Sequence, residues 1–176
     1  MIWVIILIAV LLIAVWAVKT LNDFKRKEIR VSESLSGIEV ALTKRFDMLT
    51  KLIDTAKSYV KHENELFETT IKLRKGMDVG ELNEAGKKLD ELSGKIFAVA
   101  EGYPELRSSE VFVELQHGIR DAEEHLQAAR RLYNVSVTAY NTAISVFPAK
   151  LLASGRKPKD FFAADDAKKA DVDLKI

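Results

Sequence analysis

Cysteine is absent from the 176 residues, which excludes disulfides, thiolate metal sites, cysteine nucleophiles and a lipoprotein anchor together. Proline occurs three times and glycine eight times. Only two of the prolines, and few of the glycines, fall where they could interrupt a long segment. No charge of one sign dominates: 27 basic and 26 acidic side chains leave a net charge of +1, so there is no basic field to hold nucleic acid. His62, His117 and His125 lack zincin spacing, and no Glu-x-x-His is present. Ligand count therefore argues against a metal site, and no cofactor is expected.

Charge is also missing from one particular place. The first eighteen residues, MIWVIILIAVLLIAVWAV, hold no charge, glycine or proline. As a helix, Ile2 to Val18 is roughly 26 Å long, at the short end of what spans a bilayer core. Trp3 and Trp16 stand near its two ends, where indoles favour the headgroups, and Leu21 and Phe24 extend the apolar stretch. A cleaved signal peptide would want a basic start, a shorter apolar core and a small-residue cleavage site. Val15-Trp16-Ala17 supplies that site poorly. A retained anchor is expected, with the lipid bilayer as its first partner. Lys19, Lys25, Arg26, Lys27 and Arg30 follow the span, diluted by Asp23 and Glu28. The positive-inside rule then places the amino end outside and the body in the cytoplasm.

All the charged residues lie after Val18 with their signs interspersed, which suits long, charge-laced helices and gives no sign of an enzyme. A heptad runs from Leu35 through Ile38, Leu42, Arg45, Leu49, Leu52, Ala56, Tyr59, Glu63, Leu66 and Thr70 to Leu73. Phe46, Ile53, Val60 and Phe67 widen the stripe to bundle rather than two-stranded width. Ser32 to Gly37 is a soft place where the helix breaks or continues toward the membrane, and Gly76 is the stop. Asp78 is a candidate N-cap for a second helix carrying Leu82, Ala85, Leu89, Leu92, Ile96, Val99 and Tyr103, closed by Pro104. Ser108 or Ser109 caps a third, whose stripe runs from Leu115 to Phe147 before Pro148. Gly155, Pro158, Phe161 and Phe162 read as a partly ordered loop, followed by a charged tail. The expected fold is all-α: a transmembrane anchor over 1–20, a basic connector over 21–34, and an elongated up-down-up bundle with coiled-coil-like packing over 35–148. Residues 149–176 are the loop and a weakly structured tail.

Helix lengths bear on association. A first helix over 35–74 is about 60 Å long and the second about 35 Å. An up-down-up path then leaves Leu35, Ile38, Leu42 and Phe46 overhanging near the membrane, and Val137, Ile144 and Phe147 overhanging at the far end. Each large apolar side chain left in water costs roughly 1.5–3 kcal/mol. Either the tail after Pro148 covers a stripe or another protomer does, so a homo-oligomer is expected through these seven residues.

Arg45 and Glu63 occupy core positions of the first helix, and Glu123 and Arg130 the edge of the third. Buried charges must pair, so a structural ion-pair network is expected, with partners supplied by other helices. KRFDMLTKLIDTAKSYVKHE, EGYPELRSSEVFVELQ and EEHLQAARRLYNVSVTAYNTAISVFP resemble, in order and spacing, the LemA family of bacterial membrane proteins. The most specific part is Tyr133-Asn134 with Tyr140-Asn141, preceded by Glu123 and Arg130 and followed by Phe147-Pro148. Arg45, Asp47, Leu52, Tyr59, His62, Glu63 and Arg74 match the family's first-helix pattern. Thr50-Lys51 replaces a usual Pro-Asn, which should leave the first helix straighter, and Leu21 replaces an aromatic. The resemblance implies an anchored helical bundle in the bacterial inner membrane with its bulk in the cytoplasm. It implies no catalytic residues. Tyr133 and Tyr140, seven apart, should bury their rings and find hydroxyl partners, with Asn134 and Asn141 cross-linking helices.

Three functions fit these features. The first is a non-enzymatic anchored scaffold that self-associates along the bilayer. The second is an adaptor bundle for another membrane protein, such as a protease or transporter. The third and most remote is a carboxylate hydrolase using Glu63 and Glu123.

Overall fold

The computed structural model describes residues 1–59, 73–74 and 76–162. Among these it is helical and without strands: α1 (Ile2–Tyr59), α2 (Val79–Glu101), the single turn α3 (Pro104–Arg107), α4 (Glu110–Ser145) and a 3-10 turn η1 (Ala149–Leu152). The chain divides into two compact units. One joins Met1–Ser34 to Leu132–Phe161, and the other joins Leu35–Arg131 to Phe162.

Local chemistry sets most helix ends. Asp78 caps α2 in a full capping box: its side chain accepts from the Glu81 N–H, and the Glu81 side chain accepts from the Asp78 N–H. Pro104 opens α3 as its first residue instead of ending α2, because proline's missing N–H costs nothing in a first turn. Ser109 Oγ accepts the Phe112 N–H ahead of α4. α1 passes unbroken through Ser32–Gly37, where Ser32 and Ser34 bond back to the Glu28 and Arg30 carbonyls. It also passes unbroken through Thr50-Lys51, with Thr50 Oγ1 bonded to the Phe46 carbonyl. The eighteen-residue apolar window near its amino end is long and apolar enough to cross a membrane, and none of it is buried.

In the Leu35–Arg131 unit the helix order differs from the expected up-down-up path. The Gly76 N–H donates to Glu39 Oε1 at 3.1 Å. A straight helix from 39 to 74 would hold those ends roughly 50 Å apart, so the first helix cannot run to Arg74. Arg74 pairs instead with Glu81. From Gly76, α2 follows α1 in the same direction: Gly86 lies against Leu42, and Asp90 meets Arg45. α4 runs the opposite way, with Gly118 against Met48 and Glu123 at Arg45. Three helices therefore share the length of α1 that the unequal-helix path left bare. Ile38 and Leu42 are completely buried, and Leu35 and Phe46 are half-buried. Leu49, Leu52, Ala56, Leu82, Leu89, Ile96, Ile119 and Leu126 complete this core.

In the Met1–Ser34 and Leu132–Phe161 unit, Phe24 and Val31 of α1 are buried, as are Tyr133, Val137, Tyr140 and Ile144 of α4 and Ala153 of the loop. Val137 and Ile144 are thus covered within the chain. The uncovered stripe expected at that end shrinks to Phe147, which lies beyond the end of α4 and is 81% exposed.

Candidate functional site

Two polar constellations stand out, one in each unit. In the first, Arg45 reaches its place by the α1 heptad, which turns it inward to 5% exposure. Its guanidinium pairs with Asp90 of α2 and, at 2.9 Å, with Glu123 Oε2 of α4. Gln127 Nε2 donates to Glu123 Oε1 at 2.7 Å and fixes that carboxylate from the next turn. The Arg45–Glu123 approach is close but poorly angled, and Arg45 Nε, Arg45 Nη1 and Glu123 Oε2 are buried without a well-directed hydrogen bond. Charge attraction dominates over hydrogen bonding here. Arg45 of α1 and Glu123 of α4 thus face each other across two helices, and Glu63 lies outside the described residues. Asp90, exposed on α2 next to the buried Leu89, lies outside the apolar stripe, and no sequence signal marks it.

Arg130, one turn beyond Gln127, belongs to a neighbouring contact. Its guanidinium carbon stands 5.0 Å from the centroid of the Phe162 ring. One terminal nitrogen lies 2.9 Å from where a Cβ on Gly86 would sit, so the bare glycine leaves room for the head group.

The second constellation is a clasp at the end of α4. Asn141 pairs with both backbone groups of Lys159: the Lys159 N–H donates to its Oδ1 at 2.8 Å, and its Nδ2 donates to the Lys159 carbonyl at 2.9 Å. Tyr133, buried on the same face, donates its hydroxyl to the Asp160 carbonyl at 2.9 Å. Tyr140 is buried with it. The expectation that Asn141 cross-links helices is corrected: its amide holds an extended strap, because a side-chain amide matches one residue's exposed N–H and C=O. Earlier in the strap, the Arg156 guanidinium stands 5.2 Å from the Phe24 ring centroid and 3.9 Å from Glu28 of α1. Lys25 bonds Glu28 and holds its carboxyl below the usual range; slight desolvation opposes this, and Lys159 and Arg156 add to it. Asn134 and Asn141 both sit half-buried.

The clasp supports two predictions. Asn141→Ala should weaken the strap by about 1–2 kcal/mol, seen as faster amide exchange over 157–161 while α4 keeps its protection. Unchanged exchange would show that the amide holds nothing. Burial, then the Asp160 charge, raises the Tyr133 hydroxyl above its ordinary pKa. A raised folded value means stability that is complete below the unfolded pKa near 10 and lost as pH rises through the folded one. Alkaline loosening of the strap should therefore disappear in Tyr133→Phe; an identical alkaline transition there would refute that assignment.

Asp90 and Glu123 are both committed to Arg45. Among the described residues no group of three His, Asp or Glu side chains could hold a metal ion. A groove of about 1020 Å³ is lined by a mixture including Val40, Lys44, Asp47 and Met77.

The sequence pattern of the LemA family matches residues 34–175, which takes in both constellations and begins after the apolar span. The chain belongs to the LemA family. It is 25% identical over 159 residues to Protein LemA of Metamycoplasma hominis, covering 86% of this chain and 73% of that protein. It is also 21% identical to the magnetosome protein MamQ of Magnetospirillum gryphiswaldense, over 72% of this chain and 58% of the relative. Magnetosome protein MamQ 2 of Paramagnetospirillum magneticum is 21% identical over 80% of this chain and 64% of its own length. The match thus spans less than two thirds of either magnetosome relative. LemA membership and the all-α bundle agree with what the Tyr-Asn pairs and the heptads imply.

Proposed function

We propose that this LemA-family chain is a non-enzymatic, membrane-anchored helical scaffold, set in the bacterial inner membrane with its body in the cytoplasm. The observation that carries the proposal is the wholly unburied apolar window that continues, without a break in α1, into the packed helices. Uncovered side chains of that kind need lipid, and the basic residues after Val18 favour the cytoplasmic side.

Self-association is part of the proposal, through a surface other than the stripes predicted from helix lengths. Leu132 and Val135 are 59% and 65% exposed, and Ala139 continues the same heptad face of α4. Anchoring confines copies to two dimensions, so weak lateral contacts between such faces gain from effective concentration. The second reading, an adaptor for another membrane protein, would use the same exposed face with a foreign helix.

Retention of the anchor and its direction are tested together. The intact mass of the membrane-extracted protein should include Trp3 and Trp16, and protease added to intact cells should spare the body. A mature chain starting near Lys19, or digestion from outside, would overturn the anchor or its orientation.

A further inference from the structure

The turn after α4 carries large apolar side chains that nothing in its own unit covers. Phe147 is 81% exposed and Leu151 70% exposed. Lys150, next to Leu151, and Lys157, farther along the strap beside Arg156, are also exposed. Isolated exposed apolar residues need no explanation, but the position of these two gives them one.

Three contacts within the unit fix the level of the turn. Asp160 is held at Tyr133 and Lys159 at Asn141, so the strap runs back along α4 from its end. Arg156, earlier in the strap, lies against Phe24 and Glu28 of α1. Phe147 to Leu152 therefore sits at the Phe24 end of the unit, beyond the last turn of α4. Phe24 is six residues past Val18, about 9 Å along the helix. That is the depth of the headgroup layer beside the span, where apolar side chains flanked by lysines insert.

We propose that Phe147 and Leu151 dip into the same leaflet that the N-terminal helix leaves, with Lys150 and Lys157 on anionic headgroups. The bilayer is the occupant because the patch is tied to the end of the span, and because its charge is complementary to anionic lipid. A single helix leaves its body free to swing about the exit point; a second contact beside it holds α4 and the strap at the surface. The proposal rests on the anchor reading above.

The sequence supplies convenient probes: there is no cysteine, and Trp3 and Trp16 are the two tryptophans. Full-length Phe147→Cys, Leu151→Cys and, as a control, Val40→Cys are each labelled with an environment-sensitive fluorophore. They are reconstituted in vesicles of phosphatidylcholine with a minority of phosphatidylglycerol. At positions 147 and 151 the emission should shift to the blue, lose its quenching by aqueous iodide and gain quenching by lipid-borne spin labels. These changes should be independent of the protein-to-lipid ratio. Iodide quenching equal to that at position 40 would overturn the proposal. So would shielding that vanishes as protein is diluted with lipid, since copies of the chain would then be the cover. Brominated lipid should quench the native tryptophans in every case. Failure there would remove the anchor itself, and quenched tryptophans with open 147 and 151 labels would remove the second contact alone.

Discussion

Removing both carboxylates that face Arg45, in an Asp90→Ala/Glu123→Ala chain, is expected to lower the free energy of unfolding by about 3–5 kcal/mol. Arg45 is 5% exposed and the two carboxylates are its ion-pair partners, so the double change strands a buried cation. The converse substitution should be mild. Arg45→Met keeps the volume and leaves Asp90, whose side chain is 43% exposed, able to hydrate, while Glu123 keeps its hydrogen bond from Gln127. A change within about 1 kcal/mol of the parent is expected for it. Denaturant melts followed by helical signal measure both. Equal losses from the two variants would mean that Arg45 acts by packing and not by charge.

Leu42→Ala should cost about 2–5 kcal/mol, the range for emptying a closed core site. Leu42 has no exposed surface and lies against Gly86 of α2. The loss should be the same at every protein concentration, because the burial is within one chain. A residue at a contact between copies would behave otherwise, its variants losing stability on dilution and shifting the oligomer size. A concentration-dependent loss at Leu42 would restore the membrane-proximal stripe as an association surface.

Helix identity and inward faces were legible from periodicity and end signals: the stripes of α2 and α4, the Asp78 cap and the Ser109 cap all rest on interactions within a few residues. Helix direction was not. Neither glycine nor proline lies between Gly37 and Gly76, so nothing local distinguished one long rod from a chain that comes back to Glu39. An up-down-up order leaves Ile38 and Leu42 bare by simple geometry. The Arg45 site was half legible. A charge in an apolar stripe announces the need for a partner, but naming Asp90 required knowing that α2 runs alongside α1 in the same direction. The clasp was legible in its residues and not in its object. Tyr133 and Asn141 were marked by the paired Tyr-Asn spacing, whereas the strap they hold carries no periodicity.

The scaffold proposal stands or falls on association in a bilayer. Full-length chains carrying donor or acceptor dyes at Ser58→Cys, mixed in vesicles, report it by energy transfer as lipid is added. Transfer should stay above the level of random collisions on dilution. It should fall to that level in Leu132→Lys/Val135→Lys with the helical signal unchanged. Wild-type transfer that declines with dilution as random collisions do would contradict the scaffold.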